Sequence, residues 1–462
     1  MAEIAEEYKS SIESISIAKE KGISFDWNGM DLSDILLAEW IENKIKGSQI
    51  NSKKLSFKHK IKLKLHAWKQ RLKSINKNGN YEVVVFLNSQ SQWIILKPVL
   101  IELFNGGSKL KILTTKAALL EQIIKYNLDC NLLVGYHFKK FTQVEDHPML
   151  SLINQSFPKL SYLYAAVLPY LNHSQLSYLL VGNDNTPEGR LVANMAIQKN
   201  IATGCIQHGS LNRINPLHGR SIVNHFFAFG VKPKQELEFL GKPSDEIFVK
   251  GWPLQEQFKN NVNNIATDHF FKTPTIVITF SGPGHSTTEA HHIQCIEIIK
   301  QLQEELNLSI CIKLHPKDNV NYYKGFIADK TMLLTTNDLM EKGLTIHQLL
   351  KEAHIVLTGA STTALDALLC ETEVVSFDLM KAYKKVDFIQ DGLVHYVESK
   401  ESLKQIILDI LSKPKSHLDA TQKKVIEEYY YQFYNDNYNP SFEIAKIINE
   451  TIALKERIRC NR

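Results

Sequence analysis

Long apolar runs are missing from this chain of 462 residues. The longest span about ten residues, as at Tyr162–Leu171, where a membrane-crossing helix needs roughly 20. No transmembrane helix is expected. Paired cysteines are missing too. The six, at 130, 205, 295, 311, 370 and 460, are scattered without a CxxC, which excludes a disulfide scaffold and fits reduced, buried thiols. The opening MAEIAEEYKSS is acidic and lacks the apolar core of a signal peptide, so the expected location is the cytoplasm. The 17 histidines show no HExxH or Cys/His metal spacing, and no metal site is expected. No GxSxG elbow, P-loop or GxGxxG fingerprint occurs. What is there is ordinary for a globular protein: 44% hydrophobic and 22% charged residues, which rule out a disordered chain. The length suggests two or three domains.

Charge of one sign is scarce overall, at +5 net, but it is unevenly placed. Residues 51–80 hold nine Lys, one Arg and no Asp or Glu, which leaves −5 for the other 432 residues. Within that stretch Phe57, Ile61, Leu65, Trp68, Leu72 and Ile75 step by three or four, one apolar stripe on a helix. One reading is an interfacial helix, its cationic face drawn to anionic lipid and its apolar face entering the boundary. The other packs the stripe on the protein and leaves the lysines in water. A nucleic-acid partner is not expected, because the few aromatics face the apolar side.

From Tyr81 short apolar runs alternate with helical patterns. Candidate strands are Glu82–Leu87, Leu110–Leu113, Leu132–Val134, Leu179–Val181, Ala202–Ile206, His225–Phe229 and Ile247–Val249. A second set follows: Thr275–Phe280, Ser309–Leu314, Met332–Thr335, His354–Leu357 and Glu373–Phe377. Such alternation predicts parallel sheets covered on both faces. The Asn-rich stretch Gly251–Thr273 reads as a linker. The expected organisation is a helical extension over 1–80, α/β Rossmann-like domains over 81–255 and 272–415, and C-terminal helices over 416–462. The extension reads as two helices around a turn from Gly22 to Gly29, followed by the basic helix. Doubly wound domains bind ligands at the carboxyl ends of their strands.

Three second-domain loops suit anions. Phe280-Ser281-Gly282-Pro283-Gly284-His285-Ser286 joins a strand to a helix, whose N-terminus offers free N–H groups to a phosphate; alternatively it is a tight turn with Ser286 as cap. Lys313-Leu314-His315-Pro316-Lys317-Asp318 ends the next strand, where His315 can donate to a phosphate oxygen and the lysines add charge. Gly359-Ala360-Ser361-Thr362-Thr363 opens another helix, as a nest or simply as an N-cap. In the first domain, Gly182-Asn183-Asp184-Asn185-Thr186-Pro187 and Gln207-His208-Gly209 end neighbouring strands. Asp184 and His208 are the candidates there for general base and orienting partner, with an Asx turn as the alternative for Asp184. The pair His291–His292, in a helix, reads as capping or facing solvent.

These stretches resemble the GT-B glycosyltransferases of bacterial surface polysaccharide synthesis: capsule Kdo transferases, polysialyltransferase-like enzymes and CDP-glycerol glycerophosphotransferases. The resemblance runs over about residues 80–415. It rests on GNDNTPEGRLVANMAIQKNIATGCIQHG, HFFAFGVKPKQELEFLGKPSDEIFVKGWP, KLHPKD and TGASTTALDALLCETEVVSFD. It implies two Rossmann-like domains facing a cleft. His315, Ser361 and Thr362 would hold the phosphate of a nucleotide-sugar donor, with Lys313 nearby. Gly282, Gly284 and His285 would line the opposite wall, and Asp366 would reach a ribose hydroxyl. His208 or Asp184 would face the acceptor. The ExxxxxxxE motif of many retaining members is missing, since Asp366 and Glu373 stand one residue too close. No DxD metal motif is present, and no cofactor is expected.

The resulting expectation is a metal-independent glycosyltransferase of capsule or lipopolysaccharide assembly. It would move a sugar from a CMP- or UDP-linked donor to a saccharide or lipid-linked acceptor. Residues 57–75 would place it peripherally on the inner membrane face. The alternatives are a nucleotide-sugar 2-epimerase and an assembly adaptor without catalysis.

Overall fold

The computed structural model describes residues 80–133, 148–209, 211, 218–263, 270–283, 288–315, 318–381, 383–384, 386–413 and 418–460. Before them it describes 12–13, 15–16, 26–27 and 30–37. The basic stripe over 57–75, and with it the proposed membrane partner, lies outside these residues. Described residues before Gln255 and from Tyr430 onward form one compact unit; Gln255–Tyr429 form another.

The first unit's sheet has seven strands: β1 (Val83–Leu87), β2 (Leu110–Thr114), β3 (Cys130–Leu132), β4 (Tyr178–Val181), β5 (Ala202–Ile206), β6 (His225–Ala228) and β7 (Ile247–Val249). All pair in parallel, in the order 3-2-1-4-5-6-7. Every residue of β1 is buried, so the run VVVFL meets helices on both faces. That is why it is uniformly apolar rather than alternating. The order reverses between β1 and β4, and there the loops at the strand ends diverge.

The second unit repeats the plan with six strands: β8 (Thr275–Ile278), β9 (Ser309–Lys313), β10 (Thr331–Leu334), β11 (Ile355–Thr358), β12 (Glu373–Phe377) and β13 (His395–Val397). Their order is 10-9-8-11-12-13, again all parallel. Its switch point lies between β8 and β11. There the Thr358 hydroxyl donates to the Thr279 carbonyl at 3.2 Å and ties the two strand ends together.

Four local expectations are corrected. The turn from Gly22 to Gly29 contains a strand, Asp26–Trp27, paired antiparallel with Met30–Asp31. The strand placed at Leu132–Val134 runs over Cys130–Leu132. The supposed linker contains a helix, Gln255–Asn263, anchored by buried Phe258. The tail read as one set of helices over 416–462 divides: Ala420–Tyr429 stays with the second unit and Pro440–Cys460 with the first. The latter helix packs on the helix Gln90–Asn105, and Ser108 donates to Asn449 Oδ1 at 2.7 Å nearby.

His347, in the helix Ile346–Glu352, meets Phe258 edge-on at 4.6 Å, and burial pushes its pKa down to about 4. The folded chain therefore releases a proton that the unfolded chain keeps up to about pH 6.5. This contribution to stability is complete above pH 6.5 and is lost as pH falls toward 4. Urea unfolding at pH 7 and pH 4.5 should differ by about 1–3 kcal/mol from this residue, and a His347→Leu variant should show a flatter dependence.

Candidate functional site

The loops after β4 and β11 each leave a buried strand and enter a capped helix. In the first unit β4 runs into Gly182-Asn183-Asp184-Asn185-Thr186, and the helix Pro187–Gln198 begins with Thr186 accepting from the Gly189 amide. The turn is tight. A side-chain carbon at Gly189 would lie 1.8 Å from the Asn183 carbonyl oxygen, so only glycine fits. The Asn183 Oδ1 accepts from the Asn185 amide at 2.8 Å, and its side-chain nitrogen lies 3.1 Å from His208 Nε2. The next strand end is shaped by buried Gln207. It donates to the Gly209 carbonyl and accepts from the Phe229 amide, both at 2.8 Å. His208 between them is exposed, yet surrounding protein lowers its pKa below 6.5 by desolvation, with Asp184 pulling the other way. It is neutral at pH 7 and able to take a proton.

Asp184 stands elsewhere than a substrate-facing base would. It is fully buried, and one carboxylate oxygen accepts from the Ser221 hydroxyl at 2.6 Å and the Ile222 amide at 2.9 Å. It ties the β4 loop to the segment entering β6. Of the two first-unit candidates, His208 alone meets solvent.

In the second unit the loops after β8 and β11 share a small pocket that is partly open to solvent. It is lined by Phe280, Ser281, Gly359, Ala360, Tyr383 and, unexpectedly, His291 and His292. These histidines do not face solvent. They are 8% and 2% exposed on the helix Glu289–Leu306, and desolvation lowers both pKa values. That helix is capped by Thr288, not Ser286. Gly282 has φ +71°, and its α-carbon faces Asp318, whose Oδ1 would be 3.0 Å from an added side-chain carbon. Asp318 also accepts from Tyr323 at 2.5 Å and lies 3.7 Å from His292. The two anion-suited loops after β8 and β9 thus meet at Asp318. Gly284 and His285 lie outside the described residues.

His315 sits half-buried at the end of β9, its carbonyl accepting from the Asp318 amide. Lys313 turns away from the pocket: its ammonium donates to Leu314 O at 2.8 Å and Thr336 Oγ1 at 3.2 Å, and burial lowers its pKa. Ser361 caps the helix Thr362–Leu369 by accepting from the Thr363 amide, and Thr362 is that helix's first residue. Asp366, one turn on, is partly buried, and desolvation pushes its pKa to about 7. Its carboxyl makes no hydrogen bond to a described residue, so it is available to a hydroxyl. Asp378 was not singled out in the sequence. It is buried and accepts from the Tyr383 amide at 2.6 Å and the Tyr396 hydroxyl at 3.0 Å, which fixes Tyr383 at the pocket wall. Among the described residues no three His, Cys, Asp or Glu side chains converge as a metal would require.

Two parallel, doubly wound units of this kind define the GT-B fold. No protein-family model and no curated protein sequence matches the chain. Among solved structures, it is similar to Staphylococcus aureus MnaA with UDP, at 14% identity and a TM-score of 0.56, over 81% of this chain and 98% of that one. It is also similar to the UDP-GlcNAc 2-epimerase of Methanocaldococcus jannaschii with UDP-GlcNAc and UDP, at 15% identity and 0.56, over 80% and 99%. The Neisseria meningitidis UDP-GlcNAc 2-epimerase matches at 18% and 0.51, over 80% and 99%. At these identities the likeness establishes the fold, and it does not single out the capsule transferases within it.

The different surroundings of Asp184 and His208 give opposite expectations for stability. Asp184→Ala strands two buried donors and should lower unfolding free energy by about 2–4 kcal/mol. His208→Ala should change it by less than about 0.5 kcal/mol. Urea denaturation followed by circular dichroism measures both.

Proposed function

We propose that the protein is an enzyme acting on a nucleotide-activated sugar, with the nucleotide assigned to the second unit and proton transfer to His208. The observation that carries this is the pocket at the β8/β11 switch point. Loops bearing Ser281 and Gly359 line it together with His291 and His292, and the capped helix Thr362–Leu369 begins two residues beyond Ala360, which suits an anionic ligand. Asp366, whose carboxyl pKa is pushed up to about 7 by burial, suits a ribose hydroxyl as its partner. His315, Ser361 and Thr362 are assigned to phosphate, and Ser281 and Gly282 to the facing wall.

Of the two reactions considered, 2-epimerisation is the better supported, because the similar solved structures include UDP-GlcNAc 2-epimerases, one with UDP-GlcNAc and UDP and another bound to UDP-GlcNAc. In that reaction the C2 proton goes to a base as the C1–O bond to the diphosphate breaks and a C1=C2 bond forms. A proton delivered to C2 from the opposite face and return of the diphosphate to C1 complete it, and His208 is assigned to one of the two proton transfers. Sugar transfer is the second reading. What favours it is that those matches leave about a fifth of this chain without a counterpart. A membrane-bound or saccharide acceptor, and the interfacial use of residues 57–75, belong to that reading.

Incubation with UDP-GlcNAc alone in deuterated water separates the two. Epimerisation should place deuterium at C2 and invert it, as read by proton NMR. Consumption only when an acceptor is added would favour transfer, and no conversion of any nucleotide sugar would count against both. In the active assay His208→Ala should lower kcat by about 10²–10⁴. The rate should be flat above pH 7 and fall as acid protonates His208 through a pKa below 6.5.

A further inference from the structure

The buried guanidinium of Arg190 has no role in the reading above, yet a fully buried cation demands compensation. Arg190 is 0% exposed. Its Nε donates to the Asp184 carbonyl at 3.1 Å, and Nη2 donates to the Arg220 carbonyl at 2.5 Å and to Asn185 Oδ1 at 3.3 Å. One carboxylate beside it comes from far away in sequence: Asp34 Oδ2 lies 3.6 Å from Arg190 Nη1. The other oxygen of Asp34 lies 2.5 Å from Arg220 Nη1.

Asp34 belongs to the stretch 30–37, in which Met30, Leu32, Ile35, Leu36 and Leu37 join the first unit's core. That packing fixes where its carboxylate points. Arg220 leads into Ser221 and Ile222, the donors to the Asp184 carboxylate. Arg190 holds the same residue by its carbonyl. Both arms of the Asp34 contact therefore close on Asp184, whose chain neighbour Asn183 touches His208. An ion pair with a half-exposed carboxylate contributes little on its own. Here one of its partners is sealed from water and holds the loop.

We propose that Asp34 is a positioning residue for His208: clasping Arg190 and Arg220, it lets the N-terminal segment set the geometry of the β4 loop without touching substrate. The inference rests on the assignment of proton transfer to His208. It adds a device for which the sequence offered no sign, a remote segment that tunes a strand-end loop.

Asp34→Asn and Asp34→Ala test it in the full-length protein. Turnover should fall by roughly ten- to a hundredfold, as expected for a misplaced reacting group, with KM for the nucleotide sugar unchanged, and Asp34→Glu should recover most of the loss. In a His208→Ala background the Asp34 substitutions should cost nothing further. Backbone amide exchange should speed up at 183–190 and 220–222 and nowhere in the second unit. Unchanged turnover, an additive loss with His208→Ala, or a change in KM alone would overturn the proposal. If no nucleotide sugar is converted, the proposed function fails. The exchange measurement still decides whether Asp34 holds the loop, and unaltered exchange there sinks the clasp on its own.

Discussion

A parallel sheet buried on both faces confines chemistry to its ends. Every residue of β1, β4 and β11 is buried, so their polar backbone is spent on neighbouring strands and their side chains on the core. Backbone and side chains become available only where a strand stops. The loops that stop β4 and β11 are short, glycine-bearing and followed at once by a capped helix. The candidate phosphate loops and the His208 loop occupy equivalent ends of two similarly ordered sheets.

Buried polar groups then decide which strand-end residue does what. Asp184, Gln207, Asp318 and Asp378 all have inward-turned side chains that accept hydrogen bonds from neighbouring loops. They make the scaffold of the loops, and the candidate ligand-facing residues beside them, His208, His315 and Asp366, are exposed or partly exposed. The division has a simple energetic cause. A carboxylate sealed from water must be satisfied internally, and once satisfied it is a poor partner for anything arriving from outside.

Much of this was legible in the sequence. Runs such as VVVFL and LKILT are long and apolar enough to read as buried strands, and the loops between them carried the glycines and hydroxyls that mark strand ends. What escaped had identifiable reasons. The strand His395–Val397 is three residues with a polar start, too short for a pattern. The helix Gln255–Asn263 is rich in Asn, a weak helix former, and is held by Phe258 alone among its apolar anchors. His291 and His292 looked like surface residues by type. Their spacing to Cys295, Ile296 and Ile299 placed them on the buried face and was the available signal. The contact of Asp34 with Arg190 spans 156 positions, and nothing in local composition encodes a pairing at that distance.

The helix Pro440–Cys460 belongs to the unit that holds β1–β7, so among the described residues the second unit is an insert and the first is discontinuous. On the ribosome, Gln255–Tyr429 has all its contacts once it emerges. The unit bearing His208 also needs the helix Pro440–Cys460, which emerges after that insert. Loss of the helix Pro440–Cys460 would therefore be felt first in the unit whose strands lie before Gln255.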